Sequence, residues 1–330
     1  VQAGYVALCY HYVRSSTEDP EFPGLLGTTL DAFDEQLRKL ADVFEVVSPG
    51  RATTYSVEGK LSGPDRVGLL ITFDDGLQDH YRVAERLAER GIKAWFFIPT
   101  CILTENLPAN PIIVHYCLSK YRIDGFLGFY REALEAAGLD DSGLGVSFTR
   151  GVDDPWATIG RIKELFRYRL DRPTARSVLL HIYEHSILRD HPDALGRMHL
   201  TREQIEGMIG MGHAIGSHSC THISVGATAL GPEEVEEEIL GPRRFLEQTF
   251  DQPIRAMSYP FGGPRDCLSG ESLRRMTDAY DLAFTVEERM NTRSRSPLEL
   301  GRVMPYSTDT SAGLGDKLLK IVAQDGQGAR

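Results

Sequence analysis

Short apolar runs alternating with helix-patterned stretches constrain this chain most, because that rhythm builds parallel β/α units whose sheet is covered on both faces. The clearest run is residues 67–73, Val-Gly-Leu-Leu-Ile-Thr-Phe, a continuous strand of the doubly buried kind. Residues 5–10, 93–98, 214–217, 254–259, 282–286 and 300–303 read as further strands. Residues 29–44 carry Leu30, Phe33, Leu37, Leu40 and Ala41 at helical spacing, with Thr29 or Asp31 as cap. Residues 79–90 form an amphipathic helix closed by Gly91. Thr201 with Gln204 is a capping box opening a helix over 201–211, and residues 232–250 and 269–280 are helical as well.

Between residues 101 and 198 the rhythm fails. Helical stretches fall at 112–121, 126–137, 159–169 and 174–188, with loops at 140–145 and 151–155 and no convincing strand. Because the β/α pattern then resumes, residues 1–100 read as the first part of a barrel, 101–198 as a helical insertion or cap, and 199–330 as the remainder. A length of 330 residues accommodates one α/β barrel of about 200–250 residues plus such an elaboration. The last residues, 325–330, read as a frayed end.

A formal charge of −11 argues against nucleic acid as a partner and against a strongly anionic polymer. A bound divalent metal and local arginine clusters would soften the second exclusion. No stretch approaches the roughly 18 apolar residues of a membrane span. The opening residues read as a strand entering a core, not as a leader. Cys9, Cys101, Cys117, Cys220 and Cys267 are scattered, odd in number and without CxxC spacing. They predict no disulfide framework and favour a reducing, cytoplasmic compartment.

Three polar motifs directly follow strands. Thr72-Phe73-Asp74-Asp75-Gly76 sets two adjacent carboxylates at a strand's C-terminal end, where barrel enzymes build their sites. Consecutive side chains diverge, so one carboxylate can ligate a metal while the other handles protons; taken alone, the motif also describes a turn and helix cap. His218-Ser219-Cys220-Thr221-His222 spaces two imidazoles four apart, suited to chelating one ion or to an exposed pair. Ser258-Tyr259-Pro260-Phe261-Gly262 fixes a tight loop whose backbone N–H groups can hold an oxyanion, or simply turn the chain. Together, one Asp and two His suit Zn²⁺ or a similar divalent ion with open positions for water and substrate.

In that order the three motifs resemble the signature of the polysaccharide deacetylase (NodB-homology, carbohydrate esterase) family, and Tyr10-His11-Tyr12-Val13 is similar to its opening motif. The resemblance covers roughly residues 5–99 and 201–305. It implies a distorted (β/α)7 barrel of the NodB-homology type, here with a large helical insertion. It also implies Asp74 as general base, Asp75, His218 and His222 as metal ligands, and the Phe261 backbone N–H as oxyanion donor. Metal-bound water would be the nucleophile, and the cofactor one divalent ion, Zn²⁺ first, with Co²⁺, Ni²⁺, Fe²⁺ or Mn²⁺ as alternatives.

The chain departs from the pattern in two places. No histidine follows His222 to protonate the leaving amine, and Ser258 stands where many members keep an arginine that braces the base. Arg302 is the candidate brace; His11, or Asp74 returning its proton, is the candidate acid. His80 reads as a solvated rim residue, His181 and His185 as a surface pair, and Glu233 to Glu238 as a helix start whose charge complements the dipole. His191 and His199 belong to the insertion or its edge.

The function this implies is N-deacetylation of an amino sugar, small or nucleotide-linked rather than polymeric. Alternatives are hydrolysis of a non-sugar amide, formamide or cyclic ureide on the same barrel, and a degenerate sugar-binding protein. The implied partner is an amino-sugar or sugar-nucleotide substrate, and an oligomer is compatible.

Overall fold

The structure is a computed structural model that describes residues 4–15, 20–59, 66–139, 154–227, 230–268, 273, 276 and 279–327. Nine strands form among the described residues: β1 (Tyr5–Tyr10), β2 (Val13–Arg14), β3 (Thr28–Thr29), β4 (Glu45–Val46), β5 (Gly68–Phe73), β6 (Trp95–Ile98), β7 (Ala214–Ser217), β8 (Ala256–Ser258) and β9 (Leu282–Phe284). The main sheet is parallel in the order β1-β5-β6-β7-β8-β9, with β4 beside the start of β5, while β2 and β3 pair separately. Residues 300–303 bridge its two ends: Thr285 N donates to Leu300 O at 2.7 Å and Cys9 N to Val303 O at 2.9 Å. Six strands and this segment make the expected distorted (β/α)7 barrel.

Side-chain alternation decides what the barrel encloses. Tyr5, Ala7, Leu70, Phe97, Phe284 and Leu300 form an interior cluster, whereas their neighbours Val6, Leu69 and Phe96 pack beneath the outer helices. The same period of two continues beyond the strands' C-terminal ends. Ala7 leads to Cys9 and His11, Leu70 to Thr72 and Asp74, Ala256 to Ser258, and Leu300 to Arg302. The apolar interior therefore ends in a layer of polar side chains at one mouth. In β7 the inward position is Gly216, because a Cβ there would collide with the Phe97 ring and with Ala256 O. The next inward residue is His218.

Helix α1 (Leu30–Val43) is capped by Thr29, whose Oγ1 accepts from Ala32 N at 3.1 Å. Helix α2 (Pro49–Glu58), capped by Ser48, was not expected from periodicity. Helix α3 (His80–Glu89) follows β5. Between β6 and β7 stand α4 (Cys101–Thr104), α5 (Asn110–Ala136), α6 (Pro155–Glu164), α7 (Arg172–Tyr183), α8 (Ala194–Met198) and α9 (Arg202–Gly210), with no strand among the described residues. The two helices predicted at 112–121 and 126–137 are the halves of α5, broken at Arg122. Helices α6 and α7 continue into π-helical turns at Leu165–Arg169 and Glu184–Leu188. The predicted capping box opens α9. After β7 come α10 (Pro232–Val235), a π-helical turn and α11 (Gly241–Phe250).

The loop predicted at 140–145, most of that at 151–155 and most of the helix predicted at 269–280 lie outside the described residues. The end expected to fray is instead helical through Gln327, with Asp325 accepting from Met290 N at 2.8 Å; residues 328–330 lie outside the description. All five cysteines are free. No helix among the described residues is long and apolar enough to cross a membrane.

Candidate active site

At the barrel mouth Asp74 is held by a cation from the opposite end of the chain. Arg302 donates from Nη1 to Asp74 Oδ1 and from Nη2 to Asp74 Oδ2, both at 2.7 Å. Its remaining N–H groups reach Thr285 O at 3.0 Å, Thr72 Oγ1 at 3.1 Å and Ser258 Oγ at 2.6 Å, so all five guanidinium donors are used. Ser258 Oγ and Cys9 Sγ also donate to Asp74 Oδ2, at 2.9 and 3.3 Å. Burial would raise the Asp74 carboxyl, but Arg302 and then His218 outweigh it and hold it well below the usual carboxylate range. Arg302 thus stands against Asp74 as a brace would.

Asp75, next in sequence, points elsewhere. Its Oδ1 lies 3.4 Å from His218 Nε2 and 3.1 Å from His222 Nε2, and all three residues are buried. Asp75 Oδ1 and His218 Nε2 have no hydrogen-bond partner among the described residues. His218 Nδ1–H donates to Ser258 O at 2.9 Å, which leaves the Nε2 lone pair facing Asp75. Two imidazole nitrogens and one carboxylate oxygen converging on a buried point, their ligand atoms within 4.8 Å of one another, fit one divalent cation with open positions. Burial again opposes ionisation of Asp75, and the two imidazoles more than offset it.

This divergence of neighbouring side chains costs backbone strain. Of the seven non-glycine residues with positive φ among those described, four occupy the three motif loops: Asp75 (76°), Ser219 (61°), His222 (65°) and Phe261 (63°). Each such conformation costs about 1–3 kcal/mol and persists only where packing enforces it. Phe261 sets its ring edge-on to His222, centroids 4.7 Å apart. His11, half-buried at the end of β1, lies within 4.8 Å of Asp74 and Cys9 in ligand-atom terms. One cavity of about 1160 Å³ is lined by His11, Asp74, Asp75, His218, His222 and Phe261, so every site residue named from sequence reaches it except Arg302, which sits behind Asp74.

Two expectations are corrected. His80 is fully buried, not solvated: the first turn of α3 faces the sheet, and the ring lies beside Phe73 and Phe96 with Nε2–H donating to His11 O at 2.9 Å. Burial pushes it down to about 4, so it stays neutral and braces His11 through its backbone. The acidic run does more than complement a helix dipole. Glu234 caps Gly231 N at 2.9 Å as a helix-start residue should, but Glu238 is wholly buried. Its carboxylate accepts from Cys220 N at 3.1 Å, Thr221 N at 3.0 Å, Thr221 Oγ1 at 2.7 Å and Arg172 Nη1 at 3.2 Å. His181 and His185 stack on each other, with His185 Nδ1–H donating to His181 O at 2.9 Å.

Sequence reasoning missed three supports. Glu238 fixes the loop that carries both imidazoles. His199 donates from Nδ1 to Asp75 O at 3.1 Å and holds the backbone of Asp75. His115, from α5, lines the cavity with Nδ1 3.3 Å from Tyr12 Oη. Only spacing in three dimensions reveals these. Glu238→Gln is expected to weaken metal binding about 10–100-fold, read by competition with a chelator, because one of its two acceptors becomes a donor facing Thr221 and Arg172. Unchanged affinity would dismiss Glu238 as a support.

By sequence, no curated protein matches the chain. The family model described as polysaccharide deacetylase matches residues 181–276, which contain the His218 and Ser258 motifs. Among solved structures, the Streptococcus pyogenes deacetylase PplD, in complex with acetate, is 15% identical over 96% of this chain and 99% of its own, with a TM-score of 0.58. IcaB from Ammonifex degensii is 17% identical over 96% and 99%, with a TM-score of 0.54. A de-N-acetylase from Aggregatibacter actinomycetemcomitans is 13% identical over 95% and 99%, also with a TM-score of 0.54. At these identities the structures establish a shared fold.

Proposed function

We propose, from the premise that this chain has the fold and signature motifs of the polysaccharide deacetylases, that it is a metal-dependent hydrolase removing the N-acyl group, acetyl first, from an amino sugar. One observation carries the reading: Asp75, His218 and His222 converge on a buried point beside a second carboxylate, Asp74, that takes no part in the convergence. A divalent cation held by those three, Zn²⁺ first by the donor set, supplies Lewis acidity that polarises the acyl carbonyl and acidifies water.

Asp74 then accepts the proton of the attacking water. Its Oδ2 is saturated by Arg302, Ser258 and Cys9, whereas Oδ1 takes only Arg302 Nη1 and keeps a lone pair for that proton. Arg302 keeps the carboxylate ionised and fixed in direction. The same cation makes Asp74 a weak base, so proton transfer requires water that is already acidified. The Phe261 N–H donates to the oxyanion as charge moves onto the carbonyl oxygen. The departing amine takes its proton from a group on the cavity wall: Asp74 itself, His11, or His115, which the helical insertion contributes.

A compact or nucleotide-linked sugar suits this cavity better than a long polymer. Helices α5, α6 and α7 contribute much of its wall, including Val114, Leu127, Ile159 and Leu179, and so roof the mouth. The cytoplasmic address expected from the cysteines belongs to the same proposal.

The test begins with metal content of the purified protein, followed by acetate release from N-acetylated amino sugars and their nucleotides. Chelation is expected to reduce release to background, and Zn²⁺ to restore it. Formate or a ring-opened ureide in place of acetate would move the substrate class. A metal-free protein with undiminished activity would end the proposal.

A further inference from the structure

The cavity is larger than an acyl group needs, and its wall carries cations although the chain as a whole is acidic. At about 1160 Å³ it exceeds the ~300–1,000 Å³ of ordinary small-molecule pockets, leaving room for more than one sugar ring. Although Asp and Glu outnumber Lys and Arg by 47 to 36, four cations line it: Arg122, Lys163, Arg167 and Arg172. Two of these are occupied. Arg167 forks onto Asp266, and Arg172 reaches Glu234, Glu237 and Glu238. Arg122 and Lys163 have no ion pair or hydrogen bond among the described residues.

The lining carboxylates do not balance them. Asp74 is neutralised by Arg302, Asp75 faces the imidazoles, and Asp124 has an interaction of its own. Lys163 is solvent-accessible yet hemmed in by the cavity walls, and that partial desolvation lowers its ammonium below the ordinary value. Its field also reaches His115, beside the acyl site. Arg122 stands at the break in α5 with φ 60° and ψ −177°, a conformation an L-residue adopts only under constraint. Three of the seven exposed large hydrophobic residues among those described, Leu26, Trp156 and Tyr306, line this same cavity, two of them aromatic.

We infer that this wall binds a phosphate-type group carried by the acylated sugar, with Lys163 and Arg122 as its cationic contacts and Trp156 and Tyr306 offering faces to whatever lies beyond it. The inference rests on the deacetylase reading for the sugar, but not for the anion. Two cations uncompensated among the described residues suit a dianion: ammonium meets it as a point charge and guanidinium as a fork. A sugar phosphate and the diphosphate of a sugar nucleotide share this chemistry; the aromatic pair separates them, since only a nucleotide brings a base to stack.

Calorimetric titration of the metal-loaded protein with inorganic pyrophosphate tests the anion site directly. Lys163→Ala combined with Arg122→Ala is expected to weaken binding at least about tenfold with metal content unchanged, and Lys163→Arg alone to retain most of it. Equal binding by wild type and the double variant overturns the inference, because a contact at the metal would be common to both. In kinetics, the KM for N-acetylglucosamine 1-phosphate is expected to rise in the double variant, while that for N-acetylglucosamine holds. A further preference for UDP-N-acetylglucosamine that is lost in Trp156→Ala assigns the nucleotide source; its absence assigns the monoester. If no sugar is hydrolysed yet pyrophosphate binding still depends on the two cations, the deacetylase reading falls and the anion site stands.

Discussion

Replacing Asp74 with Asn is expected to lower hydrolysis of the best N-acetylated substrate about a thousandfold or more, while bound metal stays near one ion per chain. Asn keeps the size of the side chain but cannot take a proton, so the loss falls on kcat with KM little changed. The metal is retained because Asp74, tied to Arg302, Ser258 and Cys9, takes no part in the convergence of Asp75, His218 and His222. Asp75→Asn is the complementary variant: one residue along the chain, it is expected to lose metal and activity together. Asn at 74 also opposes an amide N–H₂ to the Arg302 fork, so cooperative melting must be read on the same sample. Activity within tenfold of wild type in Asp74→Asn would remove Asp74 as the base. Loss of metal in that variant, with folding intact, would make it a ligand instead.

The barrel and the convergence of its motifs were legible because both depend on local pattern. A doubly buried strand announces itself as a continuous apolar run, and β5 does so over Gly68–Phe73. Alternation then places Asp74 inward without further information, since Leu70 and Thr72 point the same way. The substitution of the brace was legible as a gap: Ser258 stood where a cation was needed, and Arg302 offered one in the late segment 298–303. The structure gives the reason the exchange works. Ser258 at the end of β8 and Arg302 after the bridge at Leu300 both continue inward-facing positions, so a cation from either reaches Asp74. Ser258 keeps its place in the cluster as hydroxyl donor to Asp74 and acceptor from Arg302.

What stayed hidden depends on depth and on tertiary contact. Position in a helix gives a face but not what covers that face, which is why His80 read as solvated although α3 buries it against Phe73 and Phe96. Glu238 belongs to an acidic run that looks like a helix start, and nothing local marks it as the acceptor for Cys220 and Thr221. His115 sits 103 residues from Tyr12, its hydrogen-bond partner, in a helix whose pattern is simply apolar. Helix α2 starts at a Ser-Pro pair too short in apolar content to stand out.

Arg302→Met is expected to destabilise the fold by about 3–5 kcal/mol and lower the melting temperature by roughly 5–10 °C, with activity lost as well. The guanidinium is 0% exposed and the Asp74 side chain 3%, so neither charge can fall back on water when its partner goes. Removal leaves a buried carboxylate unpaired and strips Thr285 O and Thr72 Oγ1 of a donor. The cation also lies 5.7 Å from the Phe97 and Phe284 ring centroids, contacts a thioether only partly replaces. Arg302→Lys keeps the charge but offers three donors on a single nitrogen, too few to span both Asp74 oxygens and reach Ser258 and Thr285, so it should fall between. The decisive comparison is the double variant Asp74→Asn with Arg302→Met. Removing both charges should recover much of the stability lost in Arg302→Met while restoring no turnover, because the cost lies in the unmatched charge and the chemistry in the aimed carboxylate. An Arg302→Met protein that melts with wild type and still releases acetate would mean that Asp74 needs no cation behind it.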